Sequence, residues 1–147
     1  MLAAEEGFRQ LIWTDAKEHK YIEEAGTMNV LFVIDNVLVT PIAGDTILNG
    51  ITSKSVVEIA KDWGIEVQER KIEVQEVFEA LKDGSLTEAF GAGTAATIAP
   101  ISNISLNEEN FTIPESKDHH FHTKVLKYLS EYKMGKHPDK FNWLVKV

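Results

Sequence analysis

The stretch MNVLFVIDNVLVTPI, residues 28–42, constrains the fold of this 147-residue chain more than any other segment. Two β-branched runs, VLFVI and VLVTP, flank the pair Asp35-Asn36. Such runs with a two-residue connection are typical of a β-hairpin, and asparagine tolerates the positive φ that a tight turn requires. The sequence therefore predicts two antiparallel strands joined at Asp35 and Asn36.

Three later segments have the 3.6-residue periodicity of amphipathic helices. In TSKSVVEIAKDWG, apolar residues recur every third or fourth position, Thr52 or Ser53 is a potential N-cap, and Gly64 is a potential stop. The segments VQEVFEALKDG (residues 74–84) and KVLKYLSEYKMG (residues 124–135) repeat the pattern. Each of the three segments predicts one helix.

The remaining apolar segments have strand-like patterns. LIWTD and EVQERKIEV are short, whereas LTEAFGAGTAATIAPISNISL (residues 86–106) predicts a strand, a tight loop and a second strand. Residues 107–118 are polar and predict a loop. Because we find neither an internal repeat nor a low-complexity linker, residues 1–147 are predicted to form a single domain of mixed α and β structure.

Composition argues against several classes of function. A net charge of −8, with Arg9 and Arg70 as the only arginines, is unfavourable for binding nucleic acid. No apolar run approaches the ~20 residues that span a bilayer, and the N-terminus lacks the features of a signal peptide. The absence of cysteine excludes disulfides and thiol catalysis. We therefore expect a cytoplasmic protein without nucleic-acid or membrane partners.

Residues 91–96, GAGTAA, have the outline of a dinucleotide-binding loop. That fingerprint needs a helix that opens within the glycine loop, but the following TIAPISNISL is β-branched and contains Pro100, so no helix begins there. What remains is a sharp turn at Gly91 and Gly93, where successive N–H groups and the Thr94 hydroxyl could hold an anion. A turn without a ligand explains the same residues.

A second candidate is LNGITSKS, residues 48–55, in which Gly50 precedes a predicted helix. Helix N-termini bind phosphates because their first N–H groups have no partner within the helix and carry partial positive charge. The alternative is that Thr52 or Ser53 only caps the helix, which contributes about 1 kcal/mol.

A third candidate is EEAGTMN, residues 23–29, where a Gly-Thr pair interrupts a strand pattern. Alternation places Glu23 and Glu24 on opposite faces. One carboxylate can therefore point into the protein, where it needs a cation or a hydrogen-bonding partner. A solvated acidic pair in front of a bulge is the alternative.

Three histidines, His119, His120 and His122, lie close together in DHHFH. In an extended segment, His120 and His122 would share a face, as two metal ligands could. The segment nevertheless lies in a polar loop before a helix, and a metal site also needs a shaped pocket and further ligands. A solvated or helix-capping cluster explains the histidines better, and we predict no metal.

The three loops together, in this order and spacing, resemble the branched-chain aminotransferases, which are pyridoxal 5'-phosphate (PLP) enzymes of fold type IV. The resemblance rests on WTDAKEHKYIEEAGTMNVLFVID, TILNGITSKSVVEIAKDWGIEVQERKI and LTEAFGAGTAATIAP, and it extends from about residue 5 to residue 147. It implies a mixed sheet or pseudo-barrel with surrounding helices, a homodimer, and amino-group transfer between leucine, isoleucine or valine and 2-oxoglutarate.

The resemblance also implies roles for individual residues. Glu24 matches the glutamate that pairs with the pyridine nitrogen of PLP and keeps it protonated. The other residues implied to bind PLP are Leu48 at the ring and Gly50, Ile51, Thr52, Gly93 and Thr94 around the phosphate. Those implied to lie near the substrate are Thr27, Met28 and Ala95.

The chain departs from the family pattern in two respects. Asn49-Gly50-Ile51 stands where the family usually has Pro-Gly-Val, and the basic residue just inside the helix is missing, although Lys54 follows. The family's Schiff-base lysine lies upstream of the segment that matches residue 1, and no lysine here occupies the matching motif. We therefore expect these residues to form the C-terminal part of such an enzyme, to hold PLP only non-covalently if at all, and to be inactive alone.

Two alternatives remain open. A D-amino acid aminotransferase or an aminodeoxychorismate lyase, also of fold type IV, resembles the chain more loosely, and EAGTMN favours the branched-chain enzymes. A non-catalytic domain that binds a partner or a small anion belongs to another class. Binding of PLP distinguishes that class from the enzymes.

Overall fold

The computed structural model describes residues 12–14, 20–25, 28–42, 50–93, 97–106, 109–114 and 117–143. Within these ranges the elements are, in chain order, β1 (Ile12–Thr14), β2 (Ile22–Ala25), β3 (Met28–Ile34), β4 (Val37–Thr40), α1 (Ile51–Asp62), β5 (Val67–Glu69), α2 (Val74–Asp83), β6 (Leu86–Gly93), β7 (Thr97–Pro100), β8 (Asn103–Leu106), β9 (Glu109–Thr112) and α3 (Phe121–Lys133). Strands β1 to β7 form a mixed sheet, and β8 pairs with β9. The predicted fold class is confirmed.

Strand β3 is central in the sheet and pairs with three other strands. Along one edge it pairs with β6, from Asn29 opposite Ala92 to Ile34 opposite Leu86. Along the other edge it pairs first with β2 and then with β4. These pairings are antiparallel, whereas β4 and β5 are parallel. The start of β3 is therefore enclosed by β2 on one side and the end of β6 on the other.

The predicted hairpin between β3 and β4 is confirmed. Asp35 and Asn36 both have positive φ, 51° and 64°. A two-residue turn with this backbone matches the right-handed twist of the flanking strands. The N–H of Asp35 also donates to the carbonyl oxygen of Ser85 at 3.0 Å. This bond ties the hairpin to the segment that enters β6.

The two faces of the sheet bury separate apolar clusters. Because alternate residues face opposite sides, Val30 and Phe32 join one cluster, while Leu31 and Val33 join the other. The first cluster is completed by α2, by Ile104 of β8 and by Ile113, and the second by α1 and α3. Coverage on both faces explains why residues 30–34 of β3 are an unbroken apolar run and do not alternate with polar residues.

The structure corrects three predictions about element ends. Helix α1 has Gly50 as its N-cap, so neither Thr52 nor Ser53 caps it. Helix α3 begins at Phe121, three residues before the predicted start. The predicted loop at 107–118 contains β9. Three of the four residues of this strand are polar and exposed, so the segment lacks the apolar pattern that indicates a strand. The predicted stop at Gly64 is confirmed by a φ of 77°.

In the part of the chain that the structure describes, no helix is both long enough and apolar enough to cross a membrane.

Candidate functional site

The start of β3 brings the three glycine and threonine loops together. Asn29, at the end of EEAGTMN, is paired with Glu24 across one edge of β3 and with Ala92, inside GAGTAA, across the other. Gly50, from LNGITSKS, contacts the side chain of Asn29. Segments that lie more than 60 residues apart in sequence therefore meet around one strand end.

The side chain of Met28 lies against the glycines of GAGTAA. A Cβ atom added to Gly91 would be 3.0 Å from Met28 Sδ and 3.2 Å from Met28 Cβ. One added to Gly93 would be 3.2 Å from both Cγ and Cε of Met28. Such separations are shorter than ordinary carbon contacts of about 3.5–4.0 Å. A Cβ atom at either position would make a tight contact, which Met28 would have to relieve by moving a few tenths of an ångström. Gly91 and Gly93 both lie in β6, so the sharp turn predicted at them is wrong, and the close approach of Met28 is what favours glycine here.

The space beside Gly50 is tighter still, because the side chain of Asn29 fills it. A Cβ atom at Gly50 would be only 2.2 Å from Asn29 Oδ1. The backbone of Gly50 has φ −69° and ψ 136°, a conformation that any residue can adopt. The space beside Gly50, and not its backbone conformation, therefore favours glycine, because a side chain there would have to displace the amide of Asn29.

The N-terminus of α1 has the donor set of an anion site. Its N-cap, Gly50, offers no side-chain acceptor, and its first turn contains no acidic residue. By contrast, the first turn of α2 contains Glu76, and the first N–H groups of α3 bond to the carboxylate of Glu88. The first N–H groups of a helix point outwards and carry partial positive charge. Half-buried Thr52 and Ser53 add hydroxyl groups next to them.

The positions of the predicted site residues are partly defined. The backbone of Glu24 lies in β2, Met28 is at the first position of β3, and Gly93 is at the last position of β6. Ile51 and Thr52 are the first two residues of α1. Outside the described residues lie Thr27, Leu48, Thr94 and Ala95, and the side chains of Glu24 and Ile51 are also not described.

Comparison with known protein families identifies the family of this chain. The family described as amino-transferase class IV matches residues 1–104, well over half of the chain. The chain belongs to this family.

Comparison with individual proteins agrees with the assignment. Branched-chain-amino-acid aminotransferase 2 of Bacillus subtilis is 42% identical over 146 residues, which are 99% of this chain and 40% of that protein. The crystal structure of the branched-chain amino acid aminotransferase from Escherichia coli has a TM-score of 0.78 at 27% identity, over 97% of this chain and 44% of that one. An aminotransferase from Brucella abortus bound to the cofactor PLP has a TM-score of 0.68 at 25% identity, over 88% of this chain and 41% of that one.

These matches confirm the predicted resemblance to branched-chain aminotransferases and to fold type IV. They also show that the chain spans about two fifths of the length of the curated relatives that it matches.

A buried carboxylate in this class IV aminotransferase chain was not predicted from the sequence. Glu88, in the middle of β6, has a side chain that is only 6% exposed. Its oxygens accept hydrogen bonds from the N–H groups of Phe121 at 3.0 Å and His122 at 2.9 Å, and His122 Nδ1 lies 2.5 Å from Oε1. Burial by itself raises the pKa of Glu88, but the hydrogen bonds from the His122 side chain and from the two N–H groups outweigh it, so the pKa lies below its ordinary value.

The histidine cluster belongs to the start of α3. His120 is the N-cap and has extended backbone, whereas His122 is already in the first turn of the helix. The segment is therefore not extended throughout, but the rings of His120 and His122 do lie side by side, with centroids 5.6 Å apart. Among the residues that the structure describes, no group of three or more potential ligands is placed to hold a metal ion. The predicted solvated or helix-capping cluster is wrong for His122, which is buried, and His120 occupies the N-cap position without a capping hydrogen bond from its side chain. His120 Nδ1 accepts a hydrogen bond from the N–H of Lys117 at 3.0 Å.

A groove of about 510 Å³ lies near the opposite end of β3. Its lining includes Val33, Trp63, Glu88 and Phe121. Because it sits beside the hairpin turn and α3, it is separate from the convergence of loops at Met28 and Asn29.

Proposed function

We propose that this chain is the PLP-binding C-terminal part, residues 1–147, of a branched-chain aminotransferase. The whole enzyme transfers the amino group between leucine, isoleucine or valine and 2-oxoglutarate. The observation that carries the proposal is the meeting of the three loops at Met28 and Asn29, in a chain that is 42% identical to a branched-chain enzyme over 99% of its length. The proposal includes a homodimer and a cytoplasmic location.

The phosphate of PLP is assigned to the start of α1. The N–H groups of this turn have neither a side-chain cap from Gly50 nor an acidic neighbour within the turn, which suits a doubly negative ligand. Gly50, Ile51 and Thr52 hold the phosphate from this side. Gly93, at the end of β6, and Thr94 would hold it from the other side in this proposal.

The ring of PLP is assigned to the space beside β2. When bound, PLP supplies a protonated pyridine ring that accepts electrons from the substrate. The carboxylate of Glu24 holds the proton on the ring nitrogen, because a negative charge at hydrogen-bonding distance favours the protonated form. Leu48 is assigned to the ring by the family resemblance alone, since it lies outside the described residues.

The substrate is assigned to the loop in front of β3. Met28, which is 9% exposed, presents a thioether that adapts to apolar groups of different shape, as branched aliphatic side chains require. Thr27 and the backbone amide of Ala95 lie near the substrate carboxylate in this proposal. Nothing in the described residues favours a D-amino acid aminotransferase, a lyase or a non-catalytic domain.

PLP should bind to this chain and stabilise it without a covalent bond. At a concentration 100 times the dissociation constant, a ligand raises the free energy of unfolding by about 2.7 kcal/mol. The measurement is a thermal melt and an absorbance spectrum with and without PLP. Pyridoxal, which lacks the phosphate, is the control and should stabilise the chain less. An unchanged melting temperature and spectrum with PLP would contradict the proposed cofactor site.

The 147 residues alone should show no transaminase turnover with leucine and 2-oxoglutarate. The reaction needs a lysine both to anchor the cofactor and to move the substrate proton, and no lysine of this sequence lies in the family motif. The assay follows glutamate formation in the presence of PLP. A full-length branched-chain relative is the positive control. Sustained PLP-dependent turnover by the chain would show that another of its groups replaces the lysine.

A further inference from the structure

We propose that Asn29 is a positioning residue, whose side-chain amide packs against the backbone of Gly50 and sets the place of the α1 N-terminus relative to β2. The inference deepens the proposed function and rests on it. In that function α1 holds the phosphate and Glu24 of β2 holds the ring nitrogen. Asn29 would then set the spacing between the two ends of the PLP site.

Asn29 is itself held firmly. Its backbone is paired with Glu24 on one side and with Ala92 on the other. The next two residues of β3, Val30 and Leu31, are fully buried. A strand residue with neighbours on both edges and a buried segment behind it cannot shift easily, because densely packed interiors transmit strain and do not absorb it. The backbone that carries the side chain of Asn29 is therefore a fixed support.

The contact falls on the backbone of α1. The space where Gly50 would carry a Cβ is filled by Asn29, with Oδ1 at 2.2 Å and Cγ at 3.4 Å from that position. The carbonyl oxygen of Gly50 accepts the hydrogen bond of Lys54 N at 3.1 Å, which closes the first turn of α1. Because Gly50 is part of this turn, displacement of Gly50 displaces the N–H donors that follow it.

Asn29 also touches the other end of the proposed site. Glu24 is its cross-strand partner in β2. One residue therefore links the backbone that carries the proposed partner of the ring nitrogen to the turn that carries the proposed phosphate donors. Asn29 and Gly50 lie 21 positions apart, so no local sequence pattern signals the pair.

Asn29→Ala should weaken PLP binding selectively. Without the amide, the start of α1 loses its support and the phosphate contacts loosen, whereas the ring contacts remain. We expect the dissociation constant of PLP to rise about tenfold and that of pyridoxal to change less than about twofold. Both constants are measured on this chain by absorbance or fluorescence titration. Gly64→Ala is the matched control, because it strains the other end of α1 at a φ of 77° where no neighbour lies within 4 Å.

Gly50→Ala tests the contact from the other side. The added methyl group collides with Asn29 Oδ1, so PLP affinity should fall more than pyridoxal affinity. Combining it with Asn29→Ala removes the collision and should restore PLP binding to the level of Asn29→Ala alone. Such rescue is specific to the contact. If Gly50→Ala does not fold, the Asn29→Ala and Gly64→Ala titrations still decide the matter.

The outcomes separate the inference from the proposed function. Equal weakening of PLP and pyridoxal by Asn29→Ala, or weakening of neither, overturns the positioning role. A wild-type chain that binds PLP no better than pyridoxal instead overturns the phosphate site at α1, and the positioning role with it.

Discussion

Replacement of Glu88 by alanine is expected to lower the free energy of unfolding by about 3–5 kcal/mol. The carboxylate accepts hydrogen bonds from Phe121 N and His122 N and contacts the His122 ring, all in a buried setting. Alanine leaves these groups without their acceptor, and buried polar groups without partners are costly. Urea unfolding measures the loss. Glu58→Ala, at an exposed position of α1, is the matched control and should stay within about 0.5 kcal/mol of wild type.

The pH dependence of stability provides a second readout of Glu88. Because its pKa in the folded chain is lowered, its charge stabilises the fold above the pKa of the unfolded chain, and this stabilisation is lost as the pH falls through the folded value. Wild type should therefore lose more stability on acidification than Glu88→Gln. Equal acid sensitivity in the two proteins, or a Glu88→Ala variant as stable as Glu58→Ala, would contradict the role assigned to this carboxylate.

Gly91→Val is expected to cost about 1–3 kcal/mol of stability by overpacking. It is also expected to weaken PLP binding at least about tenfold. The Cβ atom alone would lie 3.0 Å from Met28 Sδ. Gly91 is paired with Val30 and with Ala99, so its backbone is held on both edges and Met28 must move instead. Urea unfolding and PLP titration measure the two effects.

A double substitution checks the reason for this effect. Met28→Ala removes most of the side chain that the introduced valine would meet, so adding it to Gly91→Val should recover part of the lost stability. Interacting neighbours depart from additivity in this way, and distant sites do not. If the two substitutions are simply additive, the contact between Met28 and Gly91 does not explain the requirement for glycine.

Several elements could be predicted because their signals are local. The hairpin depends on two neighbouring residues with positive φ, Asp35 and Asn36. The ends of α1 and α2 depend on Gly64 and Gly84, whose φ values are 77° and 81°. In each case the torsion preference belongs to the residue itself, so the sequence shows it without tertiary information.

Other features could not be predicted because their partners are distant. Helix α3 begins at Phe121, where Glu88, 33 residues earlier, accepts the first N–H groups. Strand β9 is stabilised by β8 and by the contact of Phe111 with Phe78, at 5.4 Å between ring centroids. Neither helix propensity nor strand alternation within these segments reports such contacts.

The glycines illustrate the difference between features that the sequence determines locally and features that depend on distant residues. The sequence by itself determined the fold class and the order of the three loops. It also determined that Gly64 and Gly84 adopt left-handed torsions at the ends of helices. Only the tertiary structure decided that Gly50 leaves room for the side chain of Asn29, and that Gly91 and Gly93 leave room for the side chain of Met28. The physical reason is that a torsion preference is encoded in one residue, whereas the space beside a glycine is filled by atoms from another part of the chain.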